Sequence, residues 1–465
     1  MAVLQVPSEF PTIAAAEAAA GPGDTIVVDP AYGSETVSVS VDGLTLQAAT
    51  GADLLKLKLS APDITLTGSR PFDVRGGDAD NVIDASGAGS VVLRGGAGDD
   101  ELMGGDEPDR IYGGLGNDHL YGNHGNDVLI SNDGHPFDDF DTDILYGGLG
   151  DDLYRVDGED DEVHEQAGEG IDRVQVCNNF TLAAGSEVEI IQWRGGFNPV
   201  TITGNEFANR ITGSFMGDTL NGGDGNDVLI GGDGDDTLNG GGGNDIMYGG
   251  SGQDSFDGGD GIDTVSFARS QFAANVDLSR QLILNDAEGS GFNESIVNVE
   301  NLRGSNSSDI LRGDGNANRI DGGLGMDMLR GNGGNDVLLG GGGDDQITGG
   351  ADADRLTGGS GNDTFIYAST GDSTVASGGR DFILDFLQGA DKISLSQIDA
   401  NTAASGNQAL SFVGTNAFSN VAGELRQSAS GANTLIEGDV NGDGAADFSI
   451  LLKGTYSLGS GDFNL

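Results

Sequence analysis

The sequence predicts an all-β chain wound as a flattened parallel solenoid, or β-roll, with a β-helix-like N-terminal cap and an antiparallel C-terminal module. A nine-residue pattern repeats along much of the chain, and 83 glycines accompany only 36% apolar residues among 465. This composition suits a thin, repetitive core. The 75 acidic and 21 basic residues give a formal charge of −54, which disfavours partners such as nucleic acid and anionic membranes. A disordered acidic chain is the alternative, but regularly spaced apolar residues argue against it.

The first segment, 1–90, is predicted to form the N-terminal cap. An alanine-rich stretch from Phe10 to Ala20 leads into apolar runs that include Thr25 to Val28 and Val37 to Val41. This order of a short helix followed by strands resembles the opening coil of right-handed β-helix proteins, a group that includes pectin-degrading enzymes. Those enzymes build their clefts on many more coils than this segment can supply. We therefore expect a capping coil.

Copies of the pattern Gly-Gly-x-Gly-x-Asp-x-apolar-x define three blocks, at 91–155, 204–266 and 304–366. A flexible glycine-rich linker would not keep an aspartate and an apolar residue in register. Two stretches without clear repeats, 156–203 and 267–303, separate the blocks. Strict copies begin at Gly95, Gly113, Gly147, Gly222, Gly231, Gly240, Gly249, Gly258, Gly322, Gly340 and Gly358. Copies with Asn at the second position begin at Gly122 and Gly331, and looser copies begin at Gly104, Gly204, Gly213, Gly304, Gly313 and Gly349.

Each copy is predicted to form one short strand and one reversal of the chain. Successive side chains of a strand alternate, so the apolar residue of the x-apolar-x triplet points inward. Glycine supplies the positive φ that the reversal requires. Two reversals return the chain above its start, so residues two copies apart should stack at roughly 4.8 Å. Each edge of the roll would then carry a line of aspartates, such as Asp218, Asp236 and Asp254.

Stacked aspartates repel one another, and this repulsion identifies the ligand. Each pair within about 5 Å costs about 1 kcal/mol even in water. Calcium relieves the repulsion, because it accepts six to eight oxygen ligands in irregular geometry, whereas magnesium demands octahedral ligation and zinc prefers His or Cys. Asn209 and Asn318 replace the aspartate in two copies, which we expect to be weak or empty. The predicted ligands are Asp100, Asp118, Asp127, Asp152, Asp218, Asp227, Asp236, Asp245, Asp254, Asp263, Asp327, Asp336, Asp345, Asp354 and Asp363.

The nonapeptide resembles that of the RTX family of secreted calcium-binding proteins. The resemblance implies that glycine-rich turns hold multiple calcium ions between adjacent coils, through the sixth-position aspartate of each copy. It also implies that the chain folds on calcium binding once outside the cell.

The last segment, 367–465, is predicted to be an antiparallel β module. It contains the apolar runs Asp381 to Ser396 and Ala446 to Gly454, and it ends in Asp462-Phe-Asn-Leu465. Alternation in 433–437 and 447–453 predicts strands, with turns at Gly438 and at 442–444. The segment resembles the C-terminal module of serralysin-type proteases, which implies an uncleaved signal for the type I secretion machinery. A β-sandwich cap without any export role is the alternative.

Two other features were considered as sites of metal or redox chemistry. Asp439, Asn441, Asp443 and Asp447 match positions of an EF-hand loop, but Ile450 stands where the bidentate Glu belongs, so a hairpin turn is favoured. The single cysteine, Cys177, excludes an intrachain disulfide and is interpreted as a buried structural thiol.

No catalytic centre is predicted. The nearest match to the zinc motif His-Glu-x-x-His, His164-Glu-Gln-Ala-Gly168, lacks the second histidine and is interpreted as a polar turn of the solenoid. The four histidines, His119, His124, His135 and His164, include no pair four residues apart. Aspartate pairs at glycosidase spacing occur everywhere in so acidic a chain and carry no information.

Three functions remain open. The first is an extracellular calcium-binding structural or interaction protein, such as an adhesin or matrix component, whose partner could be a glycan or cell surface. The second is a polysaccharide-active enzyme with a site in the N-terminal coil or near Trp193 and Phe292. The third is a host-directed membrane-active effector, against which the lack of a long apolar or basic amphipathic segment counts. The first ten residues show no cleaved secretory signal, and no transmembrane segment is predicted.

Overall fold

The computed structural model describes residues 1–29, 32, 36–48, 55–59, 63–132, 141–196, 198–285, 294–401 and 405–465. Within these ranges the chain is built of β-strands, one short α-helix at Ile13–Glu17 and single turns of 3₁₀-helix at Leu278–Arg280, Ser377–Gly379 and Ser460–Asp462. The predicted all-β parallel solenoid is confirmed. The chain divides into two compact units, Met1–Ile230 and Gly231–Leu465.

The strands of the first unit pair in parallel with the strand one coil away. One sheet contains Val3–Val6, Thr25–Val28, Leu44–Ala48, Asp63–Gly68, Val82–Ala88, Glu101–Met103, His119–His124, Ile144–Leu149 and Glu162–His164. A second contains Thr36–Val39, Leu55–Leu59, Phe72–Arg75, Val91–Ala97, Arg110–Leu115, Val128–Ile130, Leu153–Val156, Arg173–Val176, Ile190–Trp193, Arg210–Thr212 and Val228–Asp233. A third contains Phe180–Thr181, Thr201–Thr203 and Thr219–Asp224.

In most nonapeptide coils of the first unit the core is a column of inward apolar side chains, one from each strand, whereas N-terminal strands such as Leu44–Ala48 bury two or three. Leu102 lies beside Leu120, so residues two copies apart stack as predicted, and Leu120 lies beside Leu145 in the next coil. These side chains are fully buried. Burial of each stabilises the fold by about 1.5–3 kcal/mol. The column is one residue wide in each sheet, which is the thin core that the composition indicates.

The coil continues through the stretch 156–203, although the nonapeptide pattern lapses there. Val163 pairs beside Leu145, and Val174 pairs beside Tyr154, so apolar residues of this stretch extend both columns. Both valines are fully buried. The stretch is therefore part of the solenoid.

The second unit is also built on parallel coils. One of its sheets contains Thr237–Gly242, Ser255–Asp260, Glu294–Val297, Leu282–Asn285, Asn275–Asp277, Ile310–Arg312, Met328–Asn332, Gln346–Gly350, Thr364–Ile366, Lys392–Ser394 and Phe463–Asn464. The other contains Ile246–Ser251, Thr264–Ser266, Asn301–Arg303, Arg319–Leu324, Val337–Gly342, Arg355–Ser360, Phe382–Ile383, Phe448–Leu452, Asn433–Asp439, Glu424–Ser430 and Ser411–Phe412. In the stretch 267–303, Leu282–Asn285 runs antiparallel to both of its neighbours.

The predicted antiparallel strands of the last segment are present. Asn433–Asp439 pairs with Glu424–Ser430 on one side and Phe448–Leu452 on the other. The prediction of a turn at Gly438 is wrong, because Gly438 lies within a strand opposite Phe448. A Cβ on Gly438 would overlap the Phe448 ring, so the glycine makes room for an aromatic neighbour.

Two glycines in each complete repeat adopt the left-handed backbone that turns the chain. In the first copy these are Gly96, with φ 123°, and Gly98, with φ 101°. Asn123 and Asn332 take the same role at the second position, since asparagine tolerates positive φ better than other side chains do. Among the described residues, no helix has the length and apolar character needed to cross a bilayer.

Candidate metal centres

The structure buries every aspartate that the repeat pattern selects. The exposed fraction of each is 5% or less. Carboxylates are rarely buried unless a partner compensates for the lost hydration. The buried set is Asp100, Asp118, Asp127, Asp152, Asp218, Asp227, Asp236, Asp245, Asp254, Asp263, Asp327, Asp336, Asp345, Asp354 and Asp363.

A ladder of hydrogen bonds connects these aspartates along each edge of the roll. The backbone N–H of Asp327 donates to Oδ1 of Asp345 at 2.8 Å, and the N–H of Asp345 donates to Oδ1 of Asp363 at 3.0 Å. Asp236 donates in the same way to Asp254. In the first unit, the N–H of Val200 donates to Oδ1 of Asp218 at 2.8 Å. One carboxylate oxygen of each aspartate is thereby held by a neighbouring coil, which orients the other.

The second oxygen, Oδ2, faces the first glycine of its own repeat. A Cβ placed on Gly322 would overlap Oδ2 of Asp327 and lie 2.5 Å from the carbonyl oxygen of Gly340. Carboxylate and carbonyl oxygens therefore converge where only glycine fits. Among the described residues, the Oδ2 atoms of Asp327, Asp336 and Asp345 are buried and accept no hydrogen bond. Each such acceptor costs about 1–3 kcal/mol if nothing compensates it.

Burial also changes the protonation of these carboxylates. Together with the charge of neighbouring aspartates, it raises the pKa of Asp327 and of Asp336 to about 7, that of Asp345 to about 6 and that of Asp127 to about 8. Without a cation, these groups compete for protons near neutral pH. A divalent cation would displace the protons and supply the missing partner for Oδ2. The oxygen-only ligand set and the irregular arrangement fit calcium.

Sequence reasoning missed other carboxylates of the ladder. Asp109 and Asp309 occupy the sixth position of looser copies and are buried, and each donates its N–H to the aspartate one coil on. Their position in the repeat was the available signal. Asp381 and Asp391 follow the last repeat and accept the N–H groups of the aspartates before them. Burial raises the pKa of Asp381 to about 9.

The two asparagine copies use the same place differently. The N–H groups of Asn209 and Asn318 donate to Asp227 and Asp336, as an aspartate would. Their side-chain amides, however, donate to the backbone carbonyls of Val188 at 2.6 Å and Glu300 at 2.8 Å. At each of these copies the asparagine amide therefore already donates to a carbonyl oxygen of the backbone. This chemistry supports the expectation of weak or empty sites at these copies.

The EF-hand-like loop joins two antiparallel strands, and its own backbone satisfies its carboxylates. Asp439 accepts the N–H of Gly442 at 2.7 Å and of Gly444 at 2.9 Å, while Asp447 accepts the N–H of Val440 at 2.7 Å. The oxygens that would bind calcium instead shape the loop. The geometry favours a hairpin turn.

The remaining candidates lie apart from the ladder. His164 contacts Glu162 at 2.9 Å and stacks on Tyr146, while His124 lies 2.7 Å from Asp106. Trp193 packs edge-on against Phe215 at 4.9 Å between ring centres. Cys177, expected to be buried, is partly exposed, and burial raises the pKa of its thiol. His135 and Phe292 lie outside the described residues.

Family comparisons agree with this geometry. The RTX calcium-binding nonapeptide repeat matches residues 75–109, 103–137, 203–238, 212–247 and 230–265. The C-terminal region of the serralysin family, peptidase M10, matches residues 254–463. Both resemblances drawn from the sequence are confirmed. The serralysin match begins within the second block, so it takes in repeats as well as the predicted C-terminal module.

Solved structures that are similar to parts of this chain include two subunits of an epimerase and an extracellular lipase. The AlgE6R2 and AlgE6R3 subunits of the Azotobacter vinelandii mannuronan C5-epimerase are each 28% identical over 34% of this chain, covering 88% and 78% of their own chains, with a TM-score of 0.19. The extracellular lipase LipA of Serratia marcescens is 13% identical over 70% of this chain and 67% of its own, with a TM-score of 0.20. No curated protein matches the chain.

Proposed function

We propose that this chain, which carries RTX calcium-binding nonapeptide repeats and a serralysin-type C-terminal region, acts outside the cell as a structural or interaction protein of the adhesin or matrix type. Repeats and modules of these two kinds are typical of secreted proteins. The observation that carries the proposal is the ladder of buried aspartates, in which the buried Oδ2 atoms of Asp327, Asp336 and Asp345 accept no hydrogen bond from the described residues. Such a ladder makes the fold depend on extracellular calcium.

The proposed role follows from what calcium does to the chain. Extracellular calcium modules bind the ion at roughly 10⁻⁴ to 10⁻³ M, well above cytosolic levels. The chain would leave the cell unfolded and wind into a roll outside. A folded roll with regularly spaced surface side chains suits adhesion or matrix assembly. Multiple calcium ions, one or more for each block, are part of this proposal.

The proposal includes export through the type I secretion machinery, directed by the C-terminal region. Phe448–Leu452 and Phe463–Asn464 each pair with a strand that follows the repeats, so the end of the chain completes the second unit. A chain lacking residues 410–465 should accumulate inside cells that express the exporter. A chain with Thr237→Asp, an exposed change, is the control and should be exported. Secretion of the truncated chain at the full rate would contradict this part of the proposal.

A polysaccharide-active enzyme is the second candidate, and one groove of the first unit favours it. The groove, of about 650 Å³, is lined by Tyr121, Tyr146 and His164, whose rings stack, and by Glu169. Aromatic side chains beside carboxylates are common in carbohydrate sites. We propose that the chain is not an enzyme, so the groove would bind sugar without turnover.

A glycan array followed by product analysis separates the two candidates. The calcium-loaded chain should bind a glycan or cell surface and leave it chemically unchanged, and the binding should vanish in chelator. Magnesium in place of calcium is the matched control, and it should not restore binding. Release of shortened, unsaturated or epimerised sugar would contradict the non-enzymatic proposal and support the second candidate.

A further inference from the structure

Three acidic side chains of the first unit converge where the nonapeptide pattern lapses. Asp152 is the sixth-position aspartate of the last copy of the first block, whereas Glu165 and Asp172 belong to the stretch 156–203. Each offers a carboxylate oxygen within 4.8 Å of those of the other two. Their exposed fractions are 2%, 3% and 1%. The segment after His164 does turn, at Ala167 and Gly168, but Glu165 at its start is buried and not solvated.

Glu165 lies at the level where regular coils have the first glycine of a repeat. His164 pairs with Tyr146, so the next residue, Glu165, follows at the level of Gly147. A Cβ on Gly147 would overlap Oδ2 of Asp152 and Oε1 of Glu165. In other repeats this place adjoins a carboxylate oxygen and a carbonyl oxygen. Here the Glu165 carboxylate lies beside that of Asp152.

Hydrogen bonds hold one oxygen of each carboxylate and leave the other aimed at the shared space. Oδ1 of Asp152 accepts the N–H of Asp127 at 2.6 Å, and Oδ1 of Asp172 accepts the N–H of Asp152 at 2.8 Å. Oε1 of Glu165 accepts the hydroxyl of Tyr154. Among the described residues, Oδ2 of Asp152, Oδ2 of Asp172 and Oε2 of Glu165 are buried and accept no hydrogen bond.

We propose that Asp152, Glu165 and Asp172 bind a calcium ion, with Glu165 supplying a carboxylate in place of the repeat glycine. Three carboxylates and no nitrogen or sulfur ligand select a hard cation, and their irregular arrangement suits calcium better than magnesium. The RTX matches end at residue 137 and resume at 203, so the site lies outside them. It extends the calcium binding of the proposed function to a place that the nonapeptide does not describe.

A buried proton is the competing occupant of this space. Burial, together with the carboxylates of Asp172 and Asp152, raises the pKa of Glu165 to about 10. A protonated, neutral Glu165 would occupy the space between the carboxylates and exclude the ion. Substitution by glutamine distinguishes this state from the calcium-bound one, because glutamine mimics the neutral acid but binds calcium poorly.

The test counts calcium ions bound to the full chain by equilibrium dialysis and records terbium luminescence sensitised by tyrosine. Glu165→Gln should bind about one ion fewer per chain than the parent. It should also lose terbium emission, because Tyr154 lies against the proposed site. Tyr154→Phe keeps the three carboxylates, so it should lose emission while its calcium count stays unchanged. Circular dichroism verifies that each variant is folded, and Asp172→Asn carries the same expectation if Glu165→Gln fails to fold.

The control is Asp345→Asn in the third block, which distinguishes failure here from failure of the nonapeptide sites. Asp345→Asn should lower the calcium count and leave the Tyr154-dependent emission in place. If Glu165→Gln and Asp172→Asn both keep the parent count and emission while Asp345→Asn lowers the count, Glu165 is protonated and neutral and this site does not exist. If all three keep the parent count, the nonapeptide assignment fails as well.

Discussion

The third block and the stretch 156–203 form the same kind of coil, but different residues line their candidate cation sites. Leu338 and Ile347 in the block and Val163 and Val174 in the stretch are all fully buried in the apolar columns. The block has the first glycine in every copy and an aspartate in every copy except that of Asn318, whereas the stretch places Glu165 where a glycine is expected. Coils therefore form wherever the inward apolar residue recurs, even where the first glycine of the repeat is absent. The residues that form the coil and the residues that line the cation sites can vary independently.

The largest expected effect is common to both regions, because both depend on the apolar column. Leu338→Asp and Val174→Asp would each bury an unpaired charge. Each substitution should lower the free energy of unfolding by more than about 4 kcal/mol. Both variants should stay unfolded by circular dichroism at saturating calcium. Gln346→Asp, on an exposed position of a neighbouring strand, is the control and should fold. If Leu338→Asp folded while Val174→Asp stayed unfolded, calcium alone would be sufficient to stabilise the third block.

The next effect separates the two regions through glycine. In the block, a Cβ on Gly340 would overlap Oδ2 of Asp345 and lie 2.5 Å from the carbonyl oxygen of Gly358. Gly340→Ala should destabilise the calcium-loaded chain by about 1–3 kcal/mol and raise the calcium needed for folding. In the stretch, Gly195 has open space around its Cβ position and no left-handed φ. Gly195→Ala should leave the thermal midpoint unchanged, and equal losses in calorimetry would refute the difference.

A smaller effect compares the ladder with the C-terminal loop. Asp345 is bonded to Asp327 and Asp363 on either side, so its loss should weaken sites on both sides of its coil. Asp439 is satisfied by the N–H groups of Gly442 and Gly444. Asp345→Ala should shift the calcium midpoint of folding several-fold upward and still fold at saturation. Asp439→Ala should leave this midpoint nearly unchanged. A larger shift for Asp439→Ala than for Asp345→Ala would mean that the principal calcium sites lie in the loop.

The smallest expected effect is on pH dependence without calcium. The folded-state pKa values of Asp327, Asp336 and Asp345 are raised to about 6 or 7, so folding binds protons there. Their stabilising contribution is complete below the unfolded value of about 3.9 and is lost as pH rises through about 7. For Glu165 in the stretch, the loss extends to a pH of about 10. Chelated chain should therefore show more β-structure at pH 5 than at pH 8, and the opposite order would contradict the burial of these carboxylates.

The sequence predicted what depends on a constant period. Leu338, Ile347 and the aspartates two residues before them recur every ninth residue, so their stacking could be derived without coordinates. The regular period did not reveal the coils of the stretch 156–203, because Val174 lies beside Tyr154, a spacing of 20 residues where two nonapeptides give 18. Ala167-Gly-Glu-Gly-Ile-Asp172-Arg-Val can be matched to the repeat only with its first glycine replaced.

Other features required the three-dimensional contacts themselves. Gly438 could not be recognised as a strand residue, because its reason is the Phe448 ring on the neighbouring strand. The burial of Glu165 is invisible in a segment of polar residues, since only the pairing of His164 with Tyr146 brings it beside Asp152. Such cases arise where a side chain from a distant coil determines which residue fits.

The most direct measurement of the central claim is circular dichroism of the full chain with calcium and with chelator at neutral pH. The roll buries its aspartates beside a thin apolar core, and its single cysteine excludes an intrachain disulfide, so we expect the fold to depend on calcium. We predict a disordered spectrum in chelator and a β-rich spectrum at millimolar calcium, with no comparable change in magnesium. Identical β-rich spectra with and without calcium would contradict calcium-dependent folding.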